Sequence, residues 1–249
     1  MLNLFYEDGD IIVTEKPAGM EAQSSRRLEP DMVSEIKNYL KISTQLTTKT
    51  STSGREPYVG VIHRLDKPVG GIMVYAKTQK AAAALSRQVQ DGRMKKTYRA
   101  VVCGKPVDIV GNYVDYLLKD GKNNYSRVVD KSVKDSKRAE LTYRVLAELP
   151  ELPGSGEKNL RQESRVLSLV EVQLLTGRHH QIRVQFAAHG TPLWGDSKYN
   201  PDGGKSQRGG LALCSAGLSF VHPVTGKRME FSMKPKGGIF RRFEEETEA

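Results

Sequence analysis

The sequence predicts an α+β fold, a mixed and mainly antiparallel sheet flanked by helices. Runs of β-branched and aromatic residues outnumber helical stretches, and they are not regularly separated by crossover helices as a parallel α/β sheet requires. Strand-like runs also continue on both sides of the polar segments 43–56 and 150–164. Those segments are therefore expected to be flexible loops of a single domain spanning 1–249, not linkers.

The elements follow in order. Ile11-Ile12-Val13 is bracketed by Asp8-Gly9-Asp10 and Lys16-Pro17-Ala18-Gly19, turn chemistry on either side of a strand. Asp31 is placed to cap a helix whose apolar positions, Met32, Val33, Ile36, Tyr39 and Leu40, follow helical spacing. Residues 43–56 are Ser/Thr-rich and poor in apolar groups, and read as a mobile insertion. Val59 to Ile62 and Gly71 to Ala76 read as strands, and an alanine-rich helix is expected over Gln79 to Gln90. Lys96 to Val102, Leu141 to Val145 and Val166 to Leu174 are further strands, with a Pro/Gly-rich loop near 150–160. Another helix is expected to begin near Thr176-Gly177-Arg178 and run to His189, where Gly190 and Pro192 stop it.

The 249 residues carry a formal net charge of +10, with dispersed basic residues. Such a surface favours an anionic partner, because Lys and Arg neutralise phosphates and release counterions. Cys103 and Cys214 lack metal-ligand spacing and read as small core residues in a reducing cytoplasm. The start of the chain has no basic, apolar leader, and no run reaches the length of a membrane span.

Several chemistries are excluded. Gly204-Lys205-Ser206 would close a phosphate loop only with glycine five positions before Gly204, where Tyr199 stands. On a helix His179 and His180 would diverge by about 100°, too far to share a metal. There is no Gly-x-Ser-x-Gly elbow. Neither a metal nor an organic cofactor is implied.

What remains is His63-Arg64-Leu65-Asp66-Lys67-Pro68-Val69-Gly70-Gly71, an acidic side chain between cations on a loop between two strands. Local chemistry leaves two readings open: a reactive carboxylate, or a turn in which Asp66 accepts backbone hydrogen bonds.

The run His63-Arg64-Leu65-Asp66, followed by Gly71 and an apolar strand, resembles the signature of the RluA family of RNA pseudouridine synthases. Four more blocks resemble that family in order: Glu7 to Gly19; Lys96-Thr97-Tyr98-Arg99-Ala100; Thr176 to Arg183 with Gly190 to Asp196; and Ser219 to Pro223. The resemblance implies a pseudouridine synthase fold with a central RNA-binding cleft. It also implies that Asp66 is the catalytic nucleophile, that Tyr98 lines the pocket, and that Arg183 is the fixed cation keeping Asp66 charged. Arg64 resembles the residue that fills the stack vacated by a flipped uridine. Arg178 and Lys16 are expected to hold RNA phosphates.

The chain departs from the pattern at Val69-Gly70, where the family often has Thr-Ser, and at Gln185 and Cys214, where histidines are frequent. The family's S4 RNA-binding domain is not in this sequence, which implies that the catalytic domain holds the RNA. The expected function is isomerisation of uridine in ribosomal RNA, by a cytoplasmic monomer needing no protein partner and no membrane. Transfer RNA as substrate, or a non-catalytic RNA-binding protein on the same frame, are the alternatives. A glycoside hydrolase is disfavoured because no second carboxylate offers itself as acid/base partner.

Overall fold

The computed structural model describes residues 2–24, 29–48, 56–150, 166–200 and 210–247. In chain order the first elements are β1 (Leu4–Glu7), β2 (Ile11–Lys16), α1 (Met32–Thr48), β3 (Gly60–Val61), β4 (Gly70–Ala76) and α2 (Gln79–Gln90). Next come β5 (Lys95–Cys103), β6 (Val110–Asp120), β7 (Tyr125–Val129), β8 (Lys137–Pro150), β9 (Val166–Leu174) and α3 (Gln181–Ala188). The last are β10 (Leu213–Val221), β11 (Arg228–Ser232) and α4 (Phe240–Thr247). Two compact units divide them, Met1–Lys96 with Ser215–Lys234, and Thr97–Cys214 with Pro235–Ala249.

In the first unit the strands run β1-β2-β4-β10, with β11 on β10 and β3 on β4. Strands β2 and β4 are antiparallel, Ile11 opposite Ala76 and Val13 opposite Val74. Those four residues, with Ile72, Leu218 and Phe220, form a buried layer shared with Ala81 and Leu85 of α2. Each large aliphatic side chain so buried contributes about 1.5–3 kcal/mol. Helix α2 has its expected limits because Thr78 caps it, its hydroxyl accepting the Ala81 N–H at 3.1 Å. Near its other end the Gln88 amide bonds both backbone groups of Val221, donating to the carbonyl at 2.7 Å and accepting from the N–H at 2.8 Å. That pair ties α2 to the end of β10.

Helix α1 starts as expected, Asp31 accepting the Ser34 N–H at 2.7 Å and Met32, Ile36 and Leu40 buried. It does not stop at residue 43, however, but continues to Thr48. This corrects the reading of 43–56 as a mobile insertion; the remainder, 49–55, lies outside the described residues. Ser and Thr cost a helix only about 0.5 kcal/mol each, so a helix nucleated on a buried face propagates through them. Glu56 then folds back onto α1, pairing with Lys37 at 2.8 Å and Lys41 at 3.5 Å.

In the second unit the order is β5-β9-β8-β6-β7, each neighbouring pair antiparallel. The hairpin β6–β7 answers to no run singled out above, and β8 runs on to Pro150, past the expected end at Val145. Polar residues such as Asp115 and Lys119 blur the alternation of β6, whose pairing with β8 sets its course. The expected loop 150–164 lies almost wholly outside the described residues. Helix α3 packs Phe186 against Tyr113 and Tyr143, with ring centroids 5.2 and 5.5 Å apart.

The start of α3 corrects a second expectation. Thr176 to His180 are not helical, and His180 sits at φ 54°, a left-handed backbone that a helix interior does not accept. The Gln181 side chain organises the segment instead. Its Oε1 accepts the Arg178 N–H at 2.9 Å and the Thr176 hydroxyl at 2.8 Å, and its Nε2 donates to the Glu140 carbonyl at 3.0 Å.

Candidate active site

The segment between β3 and β4 is held down at two points and open between them. Leu65 and Val69 are buried, Arg64 is exposed and Asp66 is partly exposed. The Asp66 carbonyl accepts the Val69 N–H at 2.9 Å, which folds Lys67-Pro68 into a tight turn. Immediately after it, Gly71 stands at φ 129°, where a Cβ would come within 2.3 Å of the Ser215 carbonyl oxygen. No other residue fits there.

Lys16 secures this turn from below. Its side chain is 0% exposed, and Nζ donates to the carbonyls of Pro17 at 3.1 Å, Met20 at 2.5 Å and Lys67 at 3.2 Å. Lys67 also accepts the Gly19 N–H at 2.8 Å, so one buried ammonium joins the turn after β2 to the turn that carries Asp66. Burial pushes Lys16 down to about 8, while the charges of Asp66 and Glu21 oppose that shift. The surface phosphate contact expected of Lys16 is therefore corrected: all three donors are engaged inside the protein, and the residue positions the loop.

His63 at the start of the loop is buried, its Nε2 accepting the Val74 N–H at 3.4 Å. Burial, with a smaller push from the Lys96 charge, drives it down to about 3, so the ring is neutral. With Nε2 accepting, the ring proton belongs on Nδ1, which has no partner among the described residues.

In the second unit Tyr98 lies on β5 opposite Val172 of β9 and is 5% exposed. Arg183 on α3 is equally buried and makes a two-pronged pair with Asp196, Nε to Oδ2 and Nη2 to Oδ1, both at 2.7 Å. Its guanidinium also lies 5.1 Å from the centre of the Tyr199 ring. Asp196 accepts the N–H groups of Lys198 and Tyr199 as well, at 3.0 and 3.1 Å. Burial raises its carboxyl, but Arg183 and these N–H groups outweigh it and the net shift is downward. Arg183 is thereby aimed by a carboxylate that no motif rule connects to it, thirteen positions away across a turn. The only sequence signal was that both lie in blocks resembling the same family.

Arg178 is exposed, its Nε donating to the Arg138 carbonyl at 2.8 Å. Gln185 is buried and donates to Asp115 at 2.7 Å; Cys214 is buried and Cys103 partly so. Among the described residues no group of His, Cys, Asp and Glu is arranged to hold a metal, and no helix is long and apolar enough to cross a membrane. Asp66 and Lys16 thus belong to the first unit, and Arg178, Arg183 and Tyr98 to the second.

Residues 10–188 match the family model described as RNA pseudouridylate synthase. The chain is 31% identical over 242 residues to ribosomal large subunit pseudouridine synthase D of Zymomonas mobilis, covering 92% of this chain and 68% of that one. The protein of the same name from Vibrio cholerae is also 31% identical, over 92% of this chain and 66% of its own length. Among solved structures, human RNA pseudouridylate synthase domain containing 1 aligns with a TM-score of 0.67 at 21% identity, covering 95% of this chain and 84% of that one. Domain containing 4, also human, gives 0.68 at 19% identity, covering 94% and 88%. These two show the fold. The match of family model, relatives and fold to one enzyme class establishes that the chain belongs to the RluA-type family of RNA pseudouridine synthases, isomerases that act on RNA.

Proposed function

We propose that this enzyme modifies uridine in large-subunit ribosomal RNA, with Asp66 as its nucleophile. The observation that carries the assignment to Asp66 is its setting, a partly exposed carboxylate on a tight turn whose far side is pinned by a buried ammonium. The choice of ribosomal RNA rests on two relatives named as large-subunit pseudouridine synthases, each 31% identical over 92% of the chain.

The reaction breaks the N1 glycosidic bond, turns the uracil and rejoins the ribose through C5; the proton lost from C5 is balanced by one gained at N1. A charged Asp66 either attacks the sugar or removes a sugar proton, giving an adduct or a glycal. Tyr98 stacks on the uracil and assists the C5 proton, and Arg183 supplies the fixed cation that keeps a carboxylate ionised out of water. These two roles follow the family resemblance. Arg64, exposed two residues before Asp66, fills the stack left by the flipped nucleotide, and Arg178 contacts phosphate. The chemistry calls for no metal or organic cofactor, and we assign it to a monomer in the cytoplasm.

Pseudouridine mapping of ribosomal and transfer RNA from cells with and without the gene tests the proposal. A site lost from large-subunit RNA and restored by the wild-type gene is expected. A site lost from transfer RNA instead would overturn the choice of substrate.

A further inference from the structure

Lys96 is the second residue of β5, two before Tyr98, and alternation along a strand puts the two on the same face. The side chain is half-buried, and burial lowers its ammonium below the ordinary lysine value. The lysines that anchor the fold nearby are answered: Lys16 by three carbonyls, Lys77 by Glu7 at 2.6 Å. Lys96 has no hydrogen-bond or ion-pair partner among the described residues. Its charge reaches His63, a neutral ring that offers no negative charge in return and whose Nδ1 has no hydrogen-bond partner among the described residues. From His63 to Asp66 is three residues, a span of at most about 10 Å.

A cation drawn out of water without a counter-ion lowers stability, and folding alone gives no reason to keep it. The anion that would answer it belongs to the substrate. We propose that Lys96 is a substrate-binding residue whose ammonium receives a phosphate oxygen of the RNA close to the nucleotide that Asp66 attacks. The inference rests on the proposed reaction and adds to it a phosphate contact that replaces the one Lys16 is too deeply buried to make. Truncation of Lys96, unlike that of a structural lysine, should weaken RNA binding without weakening the fold.

The test compares wild type, Lys96→Met and Lys96→Arg in three readouts: affinity for a short oligouridylate over a range of salt, turnover on unmodified ribosomal RNA, and thermal unfolding. Lys96→Met is expected to bind about tenfold more weakly, with the logarithmic salt slope reduced by about 0.7, one single-strand phosphate contact. Its KM should rise with kcat little changed, and its melting temperature should be equal to or above that of wild type. Lys96→Arg should restore affinity. A methionine variant with wild-type affinity and salt slope, while the wild type binds and converts RNA, overturns this inference alone. A methionine variant that melts earlier and is not rescued by arginine overturns it in favour of a structural role. A wild type that neither binds nor converts RNA overturns the proposed reaction and this contact together.

Discussion

Replacing Asp196 by asparagine keeps the shape of the side chain and removes the charge that Arg183 is paired with. Asp196 accepts from Arg183 Nε and Nη2, each at 2.7 Å, and from the N–H groups of Lys198 and Tyr199. The Arg183 and Asp196 side chains are 7% and 0% exposed, so solvent cannot take over the lost interaction. Deleting one partner of such a buried pair costs about 3–5 kcal/mol. For a chain of this size each kcal/mol lowers the melting temperature by about 2–4 °C, so a fall of about 10 °C is expected. The pH dependence has a definite sign. The folded carboxyl lies below its unfolded value of 3.8, so its contribution is complete above that value and disappears as pH falls through the folded one. Asp196→Asn should flatten this acid limb, and turnover should fall with stability because Arg183 is no longer aimed. Urea unfolding from pH 3 to 7, with turnover measured below the variant's melting point, provides the assay. A loss under about 1 kcal/mol with normal turnover would refute the claim that this pair holds Arg183 in place.

Other expectations follow from the first unit. Burial pushes Lys16 in the fold down to about 8 from its ordinary 10.5, so its contribution to stability is complete above 10.5 and is lost as pH falls through 8. Wild type should therefore gain about 3 kcal/mol relative to Lys16→Met between pH 7 and 10.5, measured by urea unfolding; a constant difference would show that the ammonium is not desolvated. Gly71→Ala drives a methyl group into the Ser215 backbone at a left-handed φ and should cost about 3 kcal/mol or more, or prevent soluble expression. A variant as stable as wild type would mean that the β4–β10 approach is not tight. Arg64→Ala should slow turnover more on structured RNA than on a short unstructured substrate, and equal losses would remove it from nucleotide flipping.

Where local chemistry governs, the sequence was enough. The alanine run placed α2 at its observed limits, and Asp31 with Met32, Ile36 and Leu40 placed the start of α1. Asp66 fell on an inter-strand loop as its bracketing strands required. Elements decided by distant partners were less legible. The start of α3 is shaped by a Gln181 side chain bonded to Glu140. The β6–β7 hairpin carries its pairing signal in its neighbours more than in its own alternation. The same holds in the site. Lys16 looks like any surface cation in a turn sequence until three carbonyls are seen to surround it, and nothing in the spacing of Asp196 marks it as the partner of Arg183.

The chemical role of Asp66 is tested by conversion of unmodified large-subunit ribosomal RNA by purified wild type and Asp66→Asn, with RNA affinity measured alongside. The wild type should form pseudouridine and the variant none, with its affinity within about tenfold of wild type because the carboxylate serves chemistry more than docking. Pseudouridine formed by Asp66→Asn would remove Asp66 from the role of nucleophile.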